Sequence, residues 1–133
     1  MSVLLIVFTL LFGREMLIVT LVFAMMEAVV YGFGLWVLMY FYVWPLLVLL
    51  VLVLKPIIKT NFILWAVVAG VFGLTFGAMC SLVYLPLGWS FALSYFIAGL
   101  PWDLTHSISN FILTLLLGST LYHSMKTVIK SVR

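Results

Sequence analysis

"GLPWDLTHSISN", residues 99–110, is the stretch on which the reading of this chain turns. It brings a carboxylate, an imidazole and an amide together in a sequence with only six basic and three acidic residues. Around it, 68% of the chain is hydrophobic and 7% charged, against roughly 45–50% and about 25% in soluble domains. A soluble chain of 133 residues cannot hide so much apolar surface, because small domains leave a large share of their area exposed. Composition therefore predicts an all-α integral membrane protein, with residues 1–133 forming one transmembrane domain. In that setting the stretch reads as polar groups placed inside an apolar bundle.

Several function classes are excluded at this level. There is no Gly-rich phosphate loop of the P-loop type, so any ATP is hydrolysed by a partner. The net charge of +3 comes from scattered residues at segment ends and forms no basic patch, so nucleic acid is not implied. Cys80 is the single cysteine, which rules out an intrachain disulfide and a cysteine-based zinc site. The opening "MSVLLIVFTLLFG" has neither a basic n-region nor a small-residue cleavage site, and does not read as a signal peptide.

A membrane helix needs about 20 apolar residues. Residues 16–31, 36–54, 62–84 and 102–122 meet or approach that length. Residues 1–12 are as apolar but only half a span, and 89–100 are too short to cross alone. Basic residues then orient the spans, since Lys and Arg collect in cytoplasmic loops. Arg14, the pair Lys55 and Lys59, and the terminal Lys126, Lys130 and Arg133 fall on one side if the four segments each cross once. On this reading 89–100 is an outer loop or half-inserted helix. Five crossings with an inner C-terminus place Met1 outside, and one further helix upstream is expected to complete six spans.

The opening stretch then lies at the outer mouth of the last helix. Pro101 suits the first helical turn, where its missing N–H costs nothing, and Asp103 follows where the helix dipole favours negative charge. At about 100° per residue, Ser107, Asn110 and Thr114 lie within about 40° of Asp103, and His106 about 60° to the other side. Ile108, Ile112 and Leu115 make the opposite face apolar. Each polar residue has an ordinary explanation: a helix-terminal charge, a packed histidine, a hydroxyl bonded to the preceding turn. As a set they form a stripe facing a bundle interior or cavity.

Glu27 is the second signal, the carboxylate well inside residues 16–31, and it must be paired, hydrogen-bonded or neutral. Tyr31, Trp36, Tyr40 and Trp44 gather at the same level, as do Tyr84, Trp89, Tyr95 and Trp102 across the other outer connection. Interfacial belts account for some of them, but the inner side has few aromatics to match. An aromatic-lined pocket with a few convergent polar groups suits a small planar ligand. Glu27, Tyr31, Trp36, Tyr40, Trp44, Trp102, Asp103, His106 and Asn110 are the candidate binding residues. Asp103→Asn and Trp44→Ala are expected to weaken binding without unfolding the protein. Ala69, Gly73 and Gly77 repeat at four-residue spacing, the small-xxx-small pattern of close helix packing. Pro45 is expected to kink its helix below the pocket.

These residues resemble a known family. "LLIVFTLLFG", "YGFGLWVLMYFYVWPLL", "VFGLTFGAMCS" and above all "AGLPWDLTHSISNFILTLLL" look like the substrate-specific (S) components of energy-coupling factor (ECF) transporters. The likeness covers nearly the whole chain but for the family's first helix, which often carries an Ala-xxx-Ala contact surface. It implies a six-helix protein of the bacterial cytoplasmic membrane, with its C-terminus inside and no catalysis of its own. It would capture a vitamin or similar micronutrient from outside. Its partners would be a transmembrane coupling subunit and two cytoplasmic ATPases, which use the ATP; the chain itself would hold no cofactor or metal. A small proton-coupled multidrug exporter using Glu27 is the alternative, which a protonmotive-force-dependent efflux abolished by Glu27→Gln would support. An intramembrane enzyme using Asp103 and His106 lacks a ligand set or hydrolase motif.

Overall fold

Breaks at Gly13, Gly32 and Gly88 punctuate this chain, and most of the rest is helix. The computed structural model describes residues 1–132, for Val132 the backbone alone. Helix accounts for 92% of the structure, and there is no strand among the described residues. The order is α1 (Ser2–Phe12), α2 (Glu15–Tyr31), α3 (Leu35–Ile58), α4 (Phe62–Ser81), a 3-10 segment (Leu82–Leu87) and α5 (Trp89–Val132). Gly13 at φ 70° and Gly32 at φ 85° make the tight turns after α1 and α2, a backbone region open to glycine.

The connection into α4 is built from side chains. Asn61 caps the helix, its Oδ1 accepting from the N–H groups of Ile63 at 3.1 Å and Leu64 at 3.3 Å. Trp65 Nε1 donates to the carbonyl of Lys59 at 2.9 Å, pinning the preceding turn. Across the bundle, Lys55 Nζ donates to the Leu10 carbonyl at 2.9 Å, satisfying one of the carbonyls a helix end leaves free. Asn61→Ala is expected to cost about 1 kcal/mol, read as a lowered unfolding midpoint in mixed micelles.

The core forms where the short α1 meets α3 and α4. Ile6 and Val7 of α1, Val43, Leu47, Val48 and Val51 of α3, and Trp65 and Ala69 of α4 are fully buried. α4 and α5 run antiparallel along a seam of glycines. Gly70 faces Phe111, Gly73 the backbone of His106 and Ser107, Gly77 the Asp103 carboxyl, and Gly118 the ring of Phe62. A Cβ on Gly73 would lie 2.8 Å from the His106 carbonyl carbon and from Ser107 N. Small residues at four-residue spacing are what allow two helices to approach so closely.

The ends of the bundle differ in chemistry. Arg14, Lys55 and Lys59 sit at the end where α1 stops and α4 begins. Tyr122 rests against Phe62, ring centroids 5.7 Å apart, so Lys126 and Lys130 of α5 extend beyond that same end. Arg133 lies outside the described residues. The opposite, aromatic end holds Tyr31, Trp36, Tyr84, Trp89 and Tyr95.

Three helical stretches are long and apolar enough to cross a membrane: α3, α4 with its 3-10 extension, and α5. α2 has 17 residues, at the lower limit of about 17 for a crossing, and α1 has 11. α3 runs past the expected end at residue 54, through Lys55 and Pro56, and contains Pro45 without a break in the helix.

The largest departure from expectation concerns residues 89–100. They are neither an outer loop nor a separate half-inserted helix, but the first turns of a 44-residue α5 that passes through Pro101. Proline inside a helix removes the bond its N–H would make to residue 97. The segment is held by its neighbours instead: Ala92 is buried, and Tyr95 lies 4.4 Å from the ring of Tyr84 and donates its OH to Met39 Sδ at 3.9 Å. Tertiary packing outweighs the local penalty here.

Candidate ligand cleft

α5 presents its polar stripe to the bundle. Asp103 and Thr114 are buried and Ser107 and Asn110 half-buried, while Leu104, Ile108, Ile112 and Leu115 are exposed on the other side. That is the orientation which the angular spacing of residues 103–114 predicts. Thr105 and Ser109, off the stripe, return their hydroxyls to the carbonyls one turn back.

Asp103 is the best-buried ionisable side chain of the group, only 2% exposed. The reason expected for its position, the first turn of a helix, is wrong, because it lies well inside α5. Its partner is on α4: Oδ1 accepts the N–H of Gly77 at 2.9 Å. Only glycine permits this, as a Cβ at position 77 would lie 2.9 Å from the Asp103 Cγ and nearer still to Oδ2. The second oxygen, Oδ2, is buried with no hydrogen-bond partner.

Beside this carboxyl a cleft of about 280 Å³ opens between α4 and the first half of α5. Gly77 and Cys80 form its α4 side, with Phe76, Tyr95, Trp102 and His106 as aromatic walls. Trp102 is 70% exposed and stands at the rim. The His106 ring packs edge-on against Phe76, centroids 5.3 Å apart. Cys80 is buried and free.

Three of the nine candidate residues, Trp102, Asp103 and His106, thus share one cleft. Asn110 lies on the stripe about one turn further along α5 and is not part of the lining. Glu27, half-buried on α2, and Tyr31, Trp36, Tyr40 and Trp44 belong to a separate arrangement. There the rings of Tyr31, Trp36, Tyr40 and Trp44 meet edge to face at centroid spacings of 6.2, 5.6 and 5.8 Å. The ladder reaches the cleft only indirectly. Trp44 lies 5.7 Å from Phe76, which touches His106 on its other side.

Phe76, Cys80 and Tyr95 are lining residues that the sequence did not single out as binding groups. The four-residue spacing gives Gly77 a packing role alone, although Phe76 and Cys80 flank it on one face of α4. Ala69, Gly73 and Gly77 are all buried, and the two glycines lie against α5. Among the described residues no three of His, Cys, Asp and Glu are grouped to hold a metal ion. A buried carboxyl with one unpartnered oxygen thus stands beside aromatic walls, an arrangement suited to holding a molecule. The chain matches no family model, no curated protein and no solved structure.

Proposed function

We propose that this chain is the substrate-binding S component of an ECF-type transporter in the bacterial cytoplasmic membrane. It captures a small vitamin-like nutrient at the outer face and passes it to a transmembrane coupling subunit driven by two cytoplasmic ATPases. The observation that carries the reading is the buried Asp103, one oxygen bonded to Gly77 and the other buried without a partner, beside an aromatic cleft.

Two further features support it. Large apolar side chains are exposed all along α2, α4 and α5, such as Ile18, Val29, Ile63, Val71, Ile108 and Leu116, far beyond the few hundred Å² of patch that a water-soluble monomer tolerates. Lipid covers that surface in this reading. The lysines lie at the end away from the cleft, so the positive-inside rule turns the cleft outward and the C-terminus to the cytoplasm.

The test is co-expression with a coupling subunit and its ATPases from one host, followed by purification through a tag on this chain. The expected result is a complex of all four proteins, with native mass spectrometry of the chain showing a retained small molecule. Purification of this chain alone, with no such molecule from any host, overturns the proposal.

A further inference from the structure

Four buried side-chain polar atoms lack a hydrogen-bond partner among the described residues: Thr9 Oγ1, Trp44 Nε1, Asp103 Oδ2 and Thr114 Oγ1. One of these, Asp103 Oδ2, belongs to a residue of the cleft lining, and it alone is on a group able to carry full charge. We propose that the cleft selects a small organic cation, a protonated amine or amidinium on a single ring system. Its N–H would donate to Asp103 Oδ2, and its ring would lie against Trp102 and Tyr95. The inference rests on the reading of the cleft as a ligand site and gives that ligand its charge.

The argument is one of unmet demand. An ionised carboxyl accepts and cannot donate, and a buried acceptor without a partner costs about 1–3 kcal/mol, more when charged. The N–H of Gly77 meets half of the need. Among the described residues no lysine or arginine supplies the rest, since Arg14, Lys55, Lys59, Lys126 and Lys130 all lie at the other end of the bundle. His106, one turn along α5, packs edge-on against Phe76 and makes no hydrogen bond to the free oxygen of the carboxyl. A ligand N–H would supply the missing donor. Aromatic walls add to the preference, because the faces of Trp, Tyr and Phe attract cations. An anion would meet both the carboxyl and those faces unfavourably. The size is limiting too: about 280 Å³ falls near the ~300 Å³ lower bound of small-molecule pockets.

Three nearly isosteric probes separate charge from shape: benzamidinium, benzamide and benzoate. Each is titrated near neutral pH into the detergent-purified full chain, with binding read by calorimetry and by tryptophan fluorescence. The Trp102→Phe variant identifies the signal from the cleft. Benzamidinium is expected to bind at least about tenfold more tightly than benzamide, with benzoate the weakest. Asp103→Asn should level the first two while leaving benzamide affinity within about threefold. If that variant does not fold, the ranking in the unaltered chain decides the matter. Equal binding of benzamide, or tighter binding of benzoate, overturns the cation preference and leaves the cleft a ligand site. Absence of binding by all three, with no change in Trp102 emission, removes the cleft reading and this proposal together.

Discussion

Gly73→Leu is expected to prevent the bundle from forming, because the space a side chain needs at that position is already filled by the backbone of α5. A Cβ there would lie 2.8 Å from the carbonyl carbon and oxygen of His106 and from Ser107 N. Those atoms belong to a helix and cannot swing aside as the end of a flexible side chain can. Even Gly73→Ala is expected to cost about 1–3 kcal/mol, the usual range for overpacking. Gly99→Ala is the matched control: nothing lies within 4 Å of a Cβ at that position, and alanine is the better helix former by about 1 kcal/mol. The measurement is the unfolding midpoint in mixed micelles, with size-exclusion profiles to detect loss of the monodisperse species. A wild-type midpoint for Gly73→Leu would show that α4 and α5 do not meet along this seam.

Trp44→Ala is expected to destabilise the protein by about 3–5 kcal/mol, the range for removing a large aromatic from a core. The side chain is 8% exposed and lies within 5.7–6.4 Å, centroid to centroid, of Tyr40, Phe72 and Phe76. This revises the expectation that the substitution would weaken ligand binding and leave the fold intact. Trp44 joins α3 to α4, and its loss leaves a hole behind the wall of the cleft. Trp44→Phe keeps part of the contact and should recover more than half of the loss, as its buried Nε1 has no partner to lose. Equal midpoints for Trp44→Ala and the parent chain would remove Trp44 from the core.

Much of this arrangement can be read from residue spacing. The stripe of Asp103, Ser107, Asn110 and Thr114 needs only the helical period, and its burial follows because the opposite face is aliphatic. The four-residue spacing of Ala69, Gly73 and Gly77 finds two glycines of the seam, Gly73 and Gly77, and misses Gly70 and Gly118. The gathering of lysines at one end follows from alternation of helix direction. What spacing could not supply was the continuity of α5. Gly99 and Pro101 together form a strong local signal for a helix start, and the packing that overrides it comes from Tyr84 and Met39, distant in sequence. The same limit divided the candidate site. Tyr31, Trp36, Tyr40 and Trp44 share a level with Asp103, but a shared level does not say that they line the same cleft. A helix-start position does not account for the burial of Asp103, whose partner is a backbone N–H on another helix.

Because the small positions of α4 recur at one-turn intervals, sliding α5 along it by a single turn would again oppose small residues, with Asp103 meeting Gly73 in place of Gly77. Such a ratchet would leave the seam nearly as comfortable as before. The other end forbids it. Gly118 is the notch that receives the Phe62 ring, whose Cδ1 would be 2.6 Å from any Cβ there, and a slip in that direction would offer Phe62 the branched side chain of Thr114. A slip the other way would offer it Tyr122. One glycine far from the cleft thus works as a pawl, keeping the carboxyl opposite the Gly77 amide.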